Sequence, residues 1–167
     1  DVKQQGGFKF KGKHVYGDLL VLVEFPQGSN AEPVIKVYRW DPEDLGAPNE
    51  DEDGHDIGPL EMIYNSVDLV GTSARCDGLG GKLACAITND EGTASVPNPS
   101  WEYTPKGGTS SDDYPYETFY SGGINVSRLI GGGVCFASFM AESRSSRSET
   151  ATLKDFVLGD FPLCTAE

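Results

Sequence analysis

An all-β chain, folded as a two-sheet antiparallel sandwich with long loops and at most one short helix, is the fold class this sequence predicts. Three observations predict it. Apolar stretches such as "LLVLVEF" and "VIKVYRW" are short and rich in β-branched and aromatic residues. Gly, Pro, Asn, Asp and Ser punctuate them, with 21 glycines and 10 prolines in 167 residues. Helical periodicity appears at one place only.

The elements follow in order. "GDLLVLVEF" (17–25) is a continuous apolar run bounded by Gly and Pro, the pattern of a buried strand. "VIKVYRW" (34–40) alternates, with Ile35, Val37 and Arg39 on one side. "LEMIYNSVDLV" (60–70), "KLACAIT" (82–88), "CFASFMAESR" (135–144) and "TATLKDFVLGDF" (150–161) complete the strand set. In "CFASFMAESR", Cys135, Ala137, Phe139 and Ala141 share one face, and the spacing predicts that one side is core and the other mixed. "INVSRLI" (124–130) follows a Gly pair and predicts one short helix with Asn125 as its N-cap. Long Gly/Pro/Ser/Asp loops lie at 41–59, 89–113 and 131–133, and loops of that kind carry function or ligands. No repeat or low-complexity linker divides the chain, so residues 1–167 read as one domain.

Charge and cysteines narrow the setting. Thirteen basic against 26 acidic residues give a net charge of −13, the wrong field for a nucleic-acid partner. No apolar run reaches the roughly 20 residues that a membrane helix needs, which predicts no membrane insertion. Four cysteines, none in a C-x-x-C pair, predict two disulfides and an extracellular home. The favoured pairing is Cys76–Cys85, closing the turn "CDGLGGKLAC", with Cys135–Cys164 tying the last two strands.

"HVYGDLLVLVEFPQG", "PVIKVYRWDP", "WEYTPKGG", "FYSGGINVSRL" and the closing "TATLKDFVLGDF" also carry a resemblance. Read in order, they resemble the C-terminal part of a LamG-like or carbohydrate-module-like jelly-roll domain of large prokaryotic extracellular surface proteins. The resemblance implies a non-catalytic role in surface layers, adhesion or sugar contact. It also implies further N-terminal strands, to be supplied by a preceding segment of the same precursor or by a neighbouring subunit.

Catalytic constellations are thin. There is no G-x-S-x-G elbow, and disulfide pairing removes the cysteines as nucleophiles. "GLGGKL" lacks the first glycine of a phosphate loop, and Leu83 stands where a Ser or Thr should bind magnesium. A non-enzymatic protein is expected.

Two stretches carry ligand chemistry. "NEDEDGHD" places Asn49, Asp51 and Asp53 at alternate positions before Gly54, the spacing at which oxygens converge on calcium. His55 would offer its carbonyl, and Asp56 or Glu61 would close the shell. Glu61 falls one place past the last ligand of an EF-hand and Pro59 bars the usual helix, so this would be a sandwich loop wrapping calcium. The plain alternative is a solvated acidic loop. The second stretch gathers Trp101, Tyr103, Tyr114, Tyr116 and Tyr120, aromatic faces that either stack on sugar rings or roof the chain's own core. Finally, Lys9, Lys11 and Lys13 alternate with Phe8 and Phe10, which predicts an edge near residues 7–16 that pairs with a strand from elsewhere. The expected function is an extracellular structural or adhesive module that self-assembles, with carbohydrate binding as the alternative.

Overall fold

The structure, a computed structural model, describes residues 3–4, 8–9, 14–25, 32–43, 58–68, 74–76, 82–89, 96–97, 104, 113–115, 118–132, 136–145 and 151–160. Within them the chain is mostly strand with very little helix, and every pair of named strands is antiparallel, with one isolated parallel bridge between Arg75 and Ala86. The strands are β1 (Lys3–Gln4), β2 (Phe8–Lys9), β3 (Leu19–Glu24), β4 (Val34–Trp40), β5 (Leu60–Asn65), β6 (Ala84–Thr88), β7 (Val96–Pro97), β8 (Asp113–Tyr114), β9 (Tyr120–Ile124), β10 (Ser138–Arg144) and β11 (Leu153–Asp160). One short helix, α1 (Val126–Ile130), follows β9.

The centre is the three-stranded sheet β3-β4-β5. β4 is covered on both faces. Ile35 and Val37, at most 1 % exposed, point one way, while Lys36 and Tyr38 are buried on the other. Ile35, Val37 and Tyr64 pack against Ala74, Ala84 and Ala86, so β6 with its partner β9 forms a second layer over the sheet. Alanines on β6 keep the facing side chains short and let the layers approach. Each fully buried Ile or Val contributes about 1.5–3 kcal/mol.

Local chemistry fixes the ends of these strands. The turn before β3 is held by Asp18, whose Oδ2 accepts from the Val15 N–H (3.1 Å) and lies 3.2 Å from His14 Nδ1. Gly17 adopts φ +92° there, a backbone that side-chain-bearing residues rarely take. The predicted strand 60–70 stops early: after Asn65 the chain turns into a 3-10 segment, Ser66–Asp68. The buried Ser66 hydroxyl accepts from the Ile35 N–H at 2.9 Å, which draws the chain back over β4. The helix starts as predicted, with the Asn125 side chain accepting from the Arg128 N–H (3.1 Å).

The predicted core face of the penultimate strand is not what the structure has. β10 and β11 form a two-stranded ribbon in which Phe139, Met140, Phe156, Val157 and Leu158 are all exposed. Apolar side chains stand on both faces, because Phe139 and Val157 share one side and Met140, Phe156 and Leu158 the other. The Phe139 ring lies across Gly159, where a Cβ would fall 2.5 Å from it. Near the start of the chain, Phe8 and Lys9 pair with Gln4 and Lys3, so one edge of β2 is occupied by the same chain.

Candidate functional site

Asn89 is the polar residue around which the aromatic region is built. It ends β6 and is only 2 % exposed. Its Nδ2 donates to the carbonyls of Tyr114 (3.3 Å) and Pro115 (2.7 Å). Its Oδ1 accepts from the Phe119 N–H (2.9 Å), and its own N–H donates to the Phe119 carbonyl (3.2 Å). Thr88 Oγ1 donates to that same carbonyl at 2.9 Å. One amide thereby pins Tyr114, Pro115 and Phe119 onto the end of β6, with β9 beginning beside it at Tyr120.

The sugar-stacking candidates divide on this frame. Tyr114 is buried (8 % exposed) and stacks on Phe119 with ring centroids 5.3 Å apart, so it roofs the core and offers no face to a ligand. Burial of that ring, the plain alternative in the sequence, is what its position beside Asn89 enforces. Tyr120 is different: it is 59 % exposed on β9, with its ring 5.8 Å from that of Phe25. Trp101, Tyr103 and Tyr116 lie outside the described residues.

Of the proposed calcium ligands, Asn49, Asp51, Asp53, His55 and Asp56 lie outside the described residues. Glu61 sits on β5 and is engaged elsewhere. Its Oε2 accepts from Arg39 Nε at 3.0 Å and also pairs with Arg39 Nη2. That hydrogen bond, with the attraction of the nearby acidic groups, raises the Arg39 pKa against the lowering effect of its partial burial. The Arg39 guanidinium also lies 5.4 Å from the Tyr16 ring centroid. Among the described residues, no group of three or more His, Cys, Asp or Glu side chains is placed to hold a metal.

Beside Arg39 runs a cleft of about 220 Å³ lined by Val15, Tyr16, Gly17, Asp18, Arg39, Ile130 and Phe136. His14, next to Val15 in the chain, packs on Trp40 with ring centroids 4.6 Å apart.

The cysteine prediction is met where it falls within the described residues. Cys76 and Cys85 form a disulfide. Around it the 74–76 segment lies along β6: the Cys76 N–H donates to the Ala86 carbonyl and the Ala86 N–H to the Ala74 carbonyl. Lys82 Nζ caps the arrangement by donating to the Arg75 carbonyl at 2.5 Å. Cys135 and Cys164 lie outside the described residues.

Asn89 was not singled out in the sequence. The available signal was its place at the end of "ACAIT", where an Asn-Asp pair marks a turn.

Compared with known proteins, the chain matches no protein-family model, no curated protein and no solved structure. No helix among the described residues is long and apolar enough to cross a membrane.

Proposed function

We propose that this protein is an extracellular, non-enzymatic structural or adhesive module that assembles with neighbouring copies. The observation that carries this reading is the β10–β11 ribbon, with Met140, Val157 and Leu158 exposed at 44 %, 57 % and 61 %. An isolated two-stranded ribbon is marginal in water, and exposed apolar edges are a liability that soluble monomers blunt. A function in assembly turns that liability into an interface. The Cys76–Cys85 bond supports an oxidising, extracellular setting. Calcium bound by Asn49, Asp51, Asp53, the His55 carbonyl and Asp56 would brace the acidic loop; Glu61, already held by Arg39, is not needed to complete it. The test is the solution mass of the purified protein. Multi-angle light scattering should give a mass that rises with concentration above the 17.9 kDa of one chain. A constant monomer mass at the highest soluble concentration overturns the reading.

The exposed Tyr120 favours a second reading, a carbohydrate-binding module. With Tyr114 buried, its platform would be Tyr120 together with Trp101, Tyr103 or Tyr116. Binding on a glycan array that is lost in Tyr120→Ala supports it; an unchanged array pattern, or no binding by the wild type, removes it.

A further inference from the structure

Resting on the reading that the chain assembles, we propose that β11 is the joining edge: two copies pair β11 to β11 antiparallel about a two-fold axis at Val157. Among the described residues β11 hydrogen-bonds to β10 on one edge and to no strand on the other. The strand "LKDFVLGD" is self-complementary in one register. Centred on Val157, it sets Phe156 opposite the second copy's Leu158, and Lys154 opposite its Asp160, each twice by symmetry. Asp155 then meets Gly159, which brings no side chain of its own but lies under the Phe139 ring, while the Asp155 carboxylate is engaged within its own copy by Ser143 Oγ, which donates to Oδ2 at 3.3 Å.

Neighbouring registers fail on chemistry. Centred on Phe156 instead, the pairing sets Lys154 against Leu158 and Asp155 against Val157; centred on Leu158, it sets Phe156 against Asp160. The outer edge of β10 is a poorer candidate. An antiparallel pairing centred on Ala141 places Met140 opposite Glu142 and Phe139 opposite Ser143, and one centred on Met140, although it faces Phe139 with Ala141, sets Ser138 against Glu142 and gains no ion pair. Only the β11 register matches apolar with apolar and acid with base.

The product is a four-stranded sheet in the order β10-β11-β11-β10. On one face Met140, Leu158 and the second copy's Phe156 fall in a row, repeated by symmetry. Main-chain hydrogen bonds and side-chain contacts are gained together, as strand addition requires.

The experiment measures self-association of the whole chain by analytical ultracentrifugation, at physiological salt, where repulsion between the chains is screened within about 8 Å. Lys154→Asp or Asp160→Lys alone creates two like-charge contacts and should weaken association by about 10-fold. The double variant Lys154→Asp/Asp160→Lys restores the pairing and should recover the wild-type constant. Val157→Cys should give a reducible cross-linked dimer, and Ala141→Cys should not. A wild type that stays monomeric overturns both this interface and the assembly reading beneath it. A wild type that associates, but ignores both charge reversals or cross-links through residue 141, overturns the β11 interface alone.

Discussion

Replacing Asn89 tests whether one buried amide holds the aromatic turn. Asn89→Ala deletes three side-chain hydrogen bonds, to Tyr114 O, Pro115 O and the Phe119 N–H. The three losses are unequal. Pro115 O keeps Thr118 Oγ1 at 2.6 Å, so it suffers little. The Phe119 N–H loses its side-chain acceptor, and stranding a buried donor costs about 1–3 kcal/mol. Each remaining bond is worth about 1 kcal/mol net, and loosening the Tyr114–Phe119 stack adds up to about 1 kcal/mol. The expected loss is about 3 kcal/mol. With a urea slope of about 2 kcal/mol per molar, the unfolding midpoint falls by about 1.5 M. Asn89→Asp keeps the acceptor but faces two carbonyl oxygens with a buried carboxylate, which raises its folded-state pKa above the unfolded value of about 3.9. Stability from the protonated form is then fully present below the unfolded value and lost as pH rises through the folded one. Asn89→Asp should therefore lie nearer wild type at about pH 4 than at about pH 7, whereas the Asn89→Ala deficit stays constant. A loss under about 1 kcal/mol for Asn89→Ala, or an Asn89→Asp deficit that ignores pH, refutes the reasoning.

Three further outcomes are expected. Cys76→Ala/Cys85→Ala opens a loop of sequence separation 9, for which chain entropy gives about 2.7 kcal/mol of lost stability, read by urea unfolding. Tyr64, buried against β6, has its pKa raised above 10.0 chiefly by desolvation, with Lys82 and the Ala84 backbone opposing; its contribution is full below pH 10 and declines above it, so the stability gap between wild type and Tyr64→Phe should shift across that range in alkaline melts. A chelator should lower the Tm of the wild type, and Asp51→Ala/Asp53→Ala should abolish that sensitivity; an equal response in both proteins removes the calcium loop.

The strands legible in the sequence are those whose own residues decide them. β4 runs from Val34 to Trp40 as read, because "VIKVYRW" is dense in β-branched and aromatic side chains and bounded by breakers at Pro33 and Asp41. The N-cap at Asn125 was equally local. β9 was missed for the opposite reason. "YSGGI" has neither alternation nor propensity, and it is a strand because β6 lies beside it. Gly122 shows the dependence: a Cβ there would lie 3.0 Å from the Cys85 carbonyl, so the glycine that spoils the pattern is what admits the partner. β7 and β8 are two-residue strands inside the loop from 89 to 113 and its exit, below what periodicity can register.

The candidate site repeats that division in its chemistry. The Cys76–Cys85 pairing followed from spacing across one turn, and the structure forms it. Glu61 and Tyr114 were chosen by residue type within their stretches, and tertiary partners reassigned both, Glu61 to Arg39 and Tyr114 to the roof over Asn89. Burial lay beyond the pattern in the same way. Alternation in "VIKVYRW" names two faces but cannot say that a central strand covers both, and alternation in "CFASFMAESR" cannot say that Phe139, on the face expected to be core, is exposed. Both have one physical origin, since period-2 patterning specifies which side chains go together and leaves open what they meet. On β4 the answer is the rest of the chain. On the ribbon, where Val157 and Leu158 are more exposed than the apolar residues of β3, the self-complementary order of "LKDFVLGD" is what the proposed pairing with a second copy of the same strand would use.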